Sequence, residues 1–241
     1  MKILIPMSGA GRRFKEKGYT FPKPLIDVNG KSMIEVVLES LPKADEYIFI
    51  VQKEHESQYK ISDLLQKLTD GKSTVFLTDG VTEGAACSAL LARERLNDYE
   101  PLLIANSDQY VKYSKPNFEL ICKLFRETEA YDFSGMIFTF NATHPKWSFV
   151  KIEYGSCITQ VVEKTPISDI ATCGIYYWGE SRDFVRSADA MIAANDRVNG
   201  EFYIAPTFNY LIKEDTWVAP FYVDEMHGLG TPEDLELFLR R

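Results

Sequence analysis

Residues Met7 to Asp27 read MSGAGRRFKEKGYTFPKPLID, and the rest of the chain is organised around this stretch. It follows the apolar run Ile3-Leu4-Ile5-Pro6-Met7, whose pattern predicts a buried first strand. The chain leaves that strand through small residues, Ser8-Gly9-Ala10-Gly11. With no bulky side chains in the way, main-chain N–H groups can approach an anion closely there. Arg12 and Arg13 come next, and Lys23 stands between two prolines, Pro22 and Pro24. Strand, glycine-rich turn and fixed cations together suit a polyphosphate. The glycines alone fit an ordinary tight turn as well.

Two other phosphate motifs are excluded. A dinucleotide fingerprint needs a third glycine where Phe14 stands. A P-loop needs a glycine five residues before Gly-Lys-Ser, but Gly30-Lys31-Ser32 is preceded there by Leu25 and Gly71-Lys72-Ser73 by Gln66.

Working outward, Asn29-Gly30 signals a turn, and Ser32-Met33-Ile34-Glu35 reads as a capping box opening a helix to about Leu41. Tyr47–Val51 is a second buried strand, residues from about Glu56 to Leu68 carry helical spacing, and Thr74–Leu77 is a third strand. The small residues of Thr82-Glu83-Gly84-Ala85-Ala86 open a helix able to pack closely, against the sheet or against a ligand. A fourth strand, Leu102–Ala105, delivers Asn106-Ser107-Asp108. An acid beyond the carboxyl end of a parallel strand lies where α/β proteins bind ligands, although it also suits a turn or a cap. A helix over Phe118–Thr128 and a strand over 135–140 follow. The pattern then changes to short strands at 149–152, 158–162 and 174–178 with no helix between them, a β-rich portion suited to a second substrate. Glu163-Lys164 ends one of these strands, as a site pair or as a solvated hairpin end. Helices over 180–195 and 205–212, a strand over 217–223 and a helix capped by Thr231 complete the chain.

The alternation of strands and helices up to Asp108 predicts α/β class, with a mainly parallel sheet and right-handed crossovers. At 241 residues the expectation is one domain, with the pattern changing near residue 135. A net charge of -8 argues against a nucleic-acid partner, and no apolar run approaches a membrane span. The N-terminus enters a strand at once, and Cys87, Cys122, Cys157 and Cys173 are scattered, so free thiols in the cytoplasm are expected.

Five stretches in order resemble the sugar-1-phosphate nucleotidyltransferase family: SGAGRRF with PKPLIDVNGKSMIE, TEGAACSAL, NSD, VEKTP followed by TCGIYYW, and GTPEDLELF. The resemblance implies transfer of a nucleoside monophosphate from a nucleoside triphosphate to a phosphorylated small-molecule acceptor, with release of pyrophosphate and with Mg²⁺ as cofactor. It implies nucleotide contacts from Met7, Ser8, Gly9, Ala10, Gly11, Gly84 and Ser107 and catalytic cations at Arg13, Lys23 and Lys164. It also implies acceptor contacts from Glu163 and Gly174 and a metal ligand at Asp108. The fold it implies is a Rossmann-like three-layer α/β/α sandwich on a mixed, mainly parallel sheet with a β-rich acceptor-binding portion, the nucleotide-binding part being about 1–134 and the acceptor-binding and C-terminal part about 135–241. Surface-polysaccharide synthesis is the implied setting, and a homo-oligomer stays open.

Two departures stand out. The family's second metal-binding Asp is replaced by Gly228, leaving Asp224, Glu225 or His227 as substitutes at the wrong spacing. The Tyr-Gly that contacts sugar reads Trp147-Ser148. Three other readings therefore stay in play: a cytidylyltransferase acting on a non-sugar phosphate such as phosphocholine, a glycosyltransferase of related fold, and a non-catalytic nucleotide-binding relative.

Overall fold

The structure, a computed structural model, describes residues 1–127 and 133–241. Strand β1 (Lys2–Pro6) carries three fully buried central side chains. Ile3 and Ile5 point into one core and Leu4 into another, as the two-residue repeat of a strand requires. A strand buried on both faces belongs to a sheet covered on both sides.

After β1 the chain makes a short helix, α1 (Arg12–Glu16), and a tight hairpin of β2 (Asp27–Val28) and β3 (Lys31–Ser32). Asn29 and Gly30 both have positive φ, 55° and 83°, so the Asn-Gly signal is a hairpin turn. Helix α2 (Met33–Ser40) begins where expected, but the capping box does not form. Ser32 belongs to the hairpin and its buried hydroxyl has no partner; the Met33 N–H instead donates to Ile26 O, 2.9 Å away. Beyond β4 (Glu46–Gln52), the expected single helix is two, α3 (Lys53–Tyr59) and α4 (Ile61–Leu68), broken where Lys60 adopts a left-handed φ of 49°. Strand β5 (Ser73–Thr78), helices α5 (Ala85–Ala89) and α6 (Arg93–Leu96), and β6 (Leu102–Ala105) complete the alternating half.

A strand that the periodicity did not reveal follows, β7 (Gln109–Lys112), and then α7 (Lys115–Glu127). The predicted helix end at Thr128 lies outside the described residues. The β-rich portion is β8 (Phe133–Asn141), β9 (Ser148–Glu153), β10 (Cys157–Glu163) and β11 (Ile170–Trp178). Helices α8 (Ser181–Ala193) and α9 (Phe208–Ile212), strands β12 (Trp217–Tyr222) and β13 (Glu225–Gly228), and α10 (Pro232–Leu239) close the chain.

The β-rich strands continue the main sheet. The order is β10-β9-β11-β6-β1-β4-β5, with β8 joined to β11 and β12 to β8. β5, β4, β1 and β6 run parallel, and β11 pairs antiparallel with β6, so the sheet is mixed, as expected. Helices α5, α8 and α9 cover the Leu4 face; α2, α4 and α7 cover the Ile3–Ile5 face. β7 and β13 form a separate antiparallel ribbon that pairs Gln109 with Gly228. A third apolar cluster joins Phe14, Ile26, Val28 and Met33 to Leu229 and Leu235. It fastens the N-terminal turn to the last helix, so chain segments some 200 residues apart meet at one end of the sheet.

Candidate active site

Two cavities open at the carboxyl ends of the parallel strands and share Tyr203 as a wall. The first, of about 370 Å³, is lined by the turn after β1 and by the start of α5. Gln52, at the end of β4, holds the turn from behind: its Nε2 donates to Ser8 O at 2.7 Å and Gly9 O at 3.2 Å. Among the described residues, no backbone acceptor meets the N–H groups from Ser8 to Arg13. A run of free N–H groups at a turn is a cradle for an anion. A hydroxyl chain closes one side, Ser8 Oγ to Ser88 Oγ at 3.0 Å and Ser88 Oγ to Thr82 Oγ1 at 2.6 Å. Gly84 has φ 135°, and a Cβ there would lie 2.3 Å from Phe202 O. The glycine lets the start of α5 dock on the Phe202 backbone, where Ala86 N donates to Phe202 O at 3.0 Å.

The second cavity, of about 230 Å³, draws on side chains from both halves of the sheet. Lys23 Nζ meets Asp108 Oδ2 at 2.7 Å, with both side chains about one-fifth exposed (23% and 20%). Backbone bonding fixes the acid, because Leu229 N donates to Asp108 O at 2.8 Å just after the ribbon. Gly174 sits in the register shift of β11 with φ 71°. A Cβ there would strike Gln109 Oε1 at 2.1 Å and Asn106 Nδ2 at 2.4 Å, so the bulge makes room for two amides. Gln109 Oε1 is buried without a hydrogen-bond partner.

Glu163 is 7% exposed and accepts from the Ser148 hydroxyl. Burial pushes its carboxyl above the usual range, and the Ser148 hydrogen bond and the Lys164 charge offset this only in part. Lys164 Nζ lies 3.9 Å from Glu163 and donates to the Tyr203 hydroxyl. On the opposite wall Lys146 Nζ bonds Asp234 Oδ1 at 2.8 Å and stands 4.7 Å over the Trp147 ring. A side chain at Gly228 would come within 3.5 Å of Asp234 Oδ2.

The expected residues divide accordingly. Ser8, Gly9, Ala10 and Gly84 line the first cavity, and Arg13, Asp108, Glu163, Lys164 and Gly174 the second. Lys23 arrives through its pair with Asp108, and Gly11 caps α1 next to Lys23. Met7 is buried in the core with its N–H given to Ile50 O at 3.0 Å, behind the turn. Ser107 is buried and lines neither cavity. Asp224 is exposed at the far end of β13, its N–H on Lys112 O at 2.8 Å, and is not brought to Asp108. Glu225 and His227 bond each other at 2.9 Å. Asn106, Gln109, Tyr203 and Asp234 were not singled out as site residues. Asp234 lay inside the GTPED stretch but reads there only as part of a helix start.

Among the described residues, no three His, Cys, Asp or Glu side chains gather closely enough to hold a metal by themselves. Mg²⁺ is often held by one or two carboxylates together with substrate phosphates. Asp108, already holding a cation through Oδ2, has the donor chemistry for such a site.

The nucleotidyl transferase family model matches residues 2–213. The low-salt glycan biosynthesis nucleotidyltransferase Agl11 of Haloferax volcanii is 25% identical over 243 residues, covering 98% of this chain and 64% of that protein. The mannose-1-phosphate guanylyltransferase catalytic subunit beta of Dictyostelium discoideum is 34% identical over 112 residues, 45% of this chain and 30% of the relative. The chain thus spans less than two thirds of the length of either relative. Among solved structures, a nucleoside-diphosphate-sugar pyrophosphorylase from Vibrio cholerae RC9 superposes with a TM-score of 0.84 at 25% identity, covering 99% of this chain and all of that one.

Proposed function

The chain belongs to the nucleotidyl transferase family, and from that premise we propose that it joins a nucleoside monophosphate, taken from a nucleoside triphosphate, to the phosphate of a sugar 1-phosphate or a similar polyol phosphate. An oxygen of the acceptor phosphate attacks the α-phosphorus. The bond from that phosphorus to the bridging oxygen breaks, and pyrophosphate leaves with the electron pair. No covalent enzyme intermediate is required, so the protein contributes position and charge.

The observation that carries this reading is the shared wall: a cavity with free backbone N–H groups abuts a cavity bearing Arg13, Lys164 and the Lys23–Asp108 pair. In the proposal the turn from Ser8 to Gly11 binds the triphosphate through its backbone and Gly84 faces the nucleoside. Arg13 and Lys23 offset the charge that collects on departing pyrophosphate, and Lys164 meets the incoming acceptor phosphate. Mg²⁺, when bound, would supply further charge neutralisation, with Asp108 as its protein ligand.

The acceptor side favours hydroxyl groups. Gln109 Oε1, buried and unpartnered, calls for a donor from the ligand. The Lys146 ammonium already covers Trp147, a ring a quaternary ammonium would use, which weighs against phosphocholine. The name of the Haloferax relative supports a product destined for glycan synthesis. A cytoplasmic location belongs to the same reading. Among the described residues, no helix is long and apolar enough to cross a membrane.

The test is pyrophosphate release with each of four NTPs, Mg²⁺, and mannose 1-phosphate, glucose 1-phosphate, inositol 1-phosphate or phosphocholine. Release with one NTP and a polyol phosphate is expected. Silence with every pair overturns the function, and release with phosphocholine alone overturns the acceptor class.

A further inference from the structure

Lys164 is held in an unusual way. Its φ is +58°, and of the eight non-glycine residues with positive φ among the described residues it is the one that lines either cavity. Few non-glycine residues enter that conformation, and its cost is offset by the surroundings. Two contacts hold it. Its N–H donates to Trp147 O at 3.0 Å, which anchors the backbone. Its ammonium donates to the Tyr203 hydroxyl and stands 4.1 Å from the centre of the same ring.

Tyr203 is placed to mediate. It is the wall that the two cavities share, and the Glu201 carboxylate, which lines the first cavity, acts electrostatically on its phenol. Lys164 donates to the phenol oxygen. Burial, and then the Glu201 carboxylate, hold the phenol above the usual tyrosine range, so it stays a neutral acceptor for the ammonium. Glu163, 3.9 Å from the ammonium, is the competing anchor inside the second cavity.

We propose that Tyr203 is a positioning residue, holding the Lys164 ammonium at the seam of the two cavities rather than letting it fall onto Glu163. The proposal rests on the function above, in which the seam is where the acceptor phosphate meets the α-phosphate. The acceptor phosphate and the α-phosphate, both anionic, repel as they approach there, and a cation fixed at that point lowers the barrier only while it stays in place. Tyr203 acts on the reaction through Lys164 and takes no proton from substrate.

Two measurements test it together. The first is a double-mutant cycle with the NTP and sugar phosphate that give the fastest release. Tyr203→Phe keeps the ring and loses the hydroxyl; it should lower kcat roughly tenfold, the scale of a lost hydrogen bond to a charged group, with KM for the NTP nearly unchanged. Lys164→Ala should cost more, and Tyr203→Phe should add almost nothing to it. Losses that multiply, or an effect confined to the KM of the NTP, overturn the proposal. The second is carbon-13 NMR of protein labelled at the tyrosine Cζ, with the Tyr203 signal assigned by its disappearance in Tyr203→Phe. That signal should move in Lys164→Ala. A silent assay with a moved signal condemns the assigned reaction; an unmoved signal overturns the Tyr203–Lys164 contact, whatever the activity.

Discussion

The first cavity is built mostly from backbone and small side chains in two short runs, the turn after β1 and the start of α5. The second is built from side chains that reach in from the loop after β6, from β9, β10 and β11, from the β7–β13 ribbon and from α10. A backbone surface recognises what every nucleotide has, a chain of phosphates, and tolerates little change because its atoms belong to the fold. A side-chain surface can be rewritten one residue at a time. The departures from family pattern, Trp147-Ser148 and Gly228, both fall in the second cavity. The contrast predicts that damage to the first cavity reaches the fold, while damage to the second stays with the acceptor.

The largest effect is expected where the halves join. Lys23→Ala or Asp108→Ala should each lower kcat by about 10²–10³, the scale of losing a preorganised charge partner. Their thermal midpoints should fall as well, because each deletion leaves a largely buried charge without its partner. Near-normal turnover from either variant would break the comparison, since the junction would then carry no chemistry.

A pair of glycine variants sharpens it. In Gly84→Ala the new Cβ meets main chain, Phe202 O at 2.3 Å, in a residue whose φ of 135° suits glycine alone. Backbone cannot step aside, and the strain should cost about 1–3 kcal/mol. The thermal midpoint should drop by several degrees while KM for the NTP rises. In Gly174→Ala the Cβ meets amide side chains, Gln109 Oε1 at 2.1 Å and Asn106 Nδ2 at 2.4 Å, which can rotate away. Its main cost should fall on KM for the acceptor, with a smaller loss of stability. Calorimetric melting beside steady-state kinetics separates the two, and equal melting losses would remove the distinction.

The same contrast explains what was legible in the sequence. The turn from Ser8 to Gly11, Gly84 and Asp108 sit in local motifs whose chemistry is carried by neighbours in the chain. The alternating half of the sheet was legible for a similar reason, since Ile3-Leu4-Ile5 needs only its own burial to read as a strand. Gln109 and Asp234 reach the second cavity only once the third apolar cluster joins Phe14 to Leu229 and the ribbon pairs Gln109 with Gly228, and Tyr203 reaches it only once the start of α5 docks on the Phe202 backbone. No local pattern marks such contacts. Met7 ends the apolar run of the first strand, and the core buries its side chain. The Ser32 cap failed because the hairpin used its geometry first.

Glu163→Gln probes the second cavity through pH. Burial raises the folded-state pKa of Glu163 above its ordinary 4.5. Between the ordinary and the raised value the native state holds the proton more tightly than the unfolded chain, so this residue's contribution to stability falls as pH climbs through that window. Glutamine cannot ionise. The variant should therefore be more stable than the parent at neutral pH, and the advantage should vanish near pH ~4, below the ordinary carboxyl value. Urea unfolding at the two values checks the sign. Turnover should fall about tenfold as a charged acceptor of hydrogen bonds is lost. Equal stability shifts at both pH values would mean that Glu163 is ionised in comfort and the cavity is wetter than its burial implies.

The smallest effect tests whether the second cavity can be rewritten. Ser148 donates its hydroxyl to Glu163 and so occupies one carboxylate oxygen that an acceptor hydroxyl could otherwise use. Ser148→Gly frees that oxygen and opens space beside it. A glycine inside β9 should cost about 0.5–1 kcal/mol of stability, a fraction of the Gly84→Ala loss. Losing the bond that pulls the Glu163 pKa down should push the acidic limb of the pH–rate profile upward. Preference among sugar and cyclitol phosphates should shift by only a few-fold, because one neutral donor is exchanged for whatever hydroxyl the acceptor offers. KM for the NTP should stay where it is. A change in NTP affinity from this position would show that the cavities are energetically one, and that the division between a backbone site and a side-chain site is only geometric.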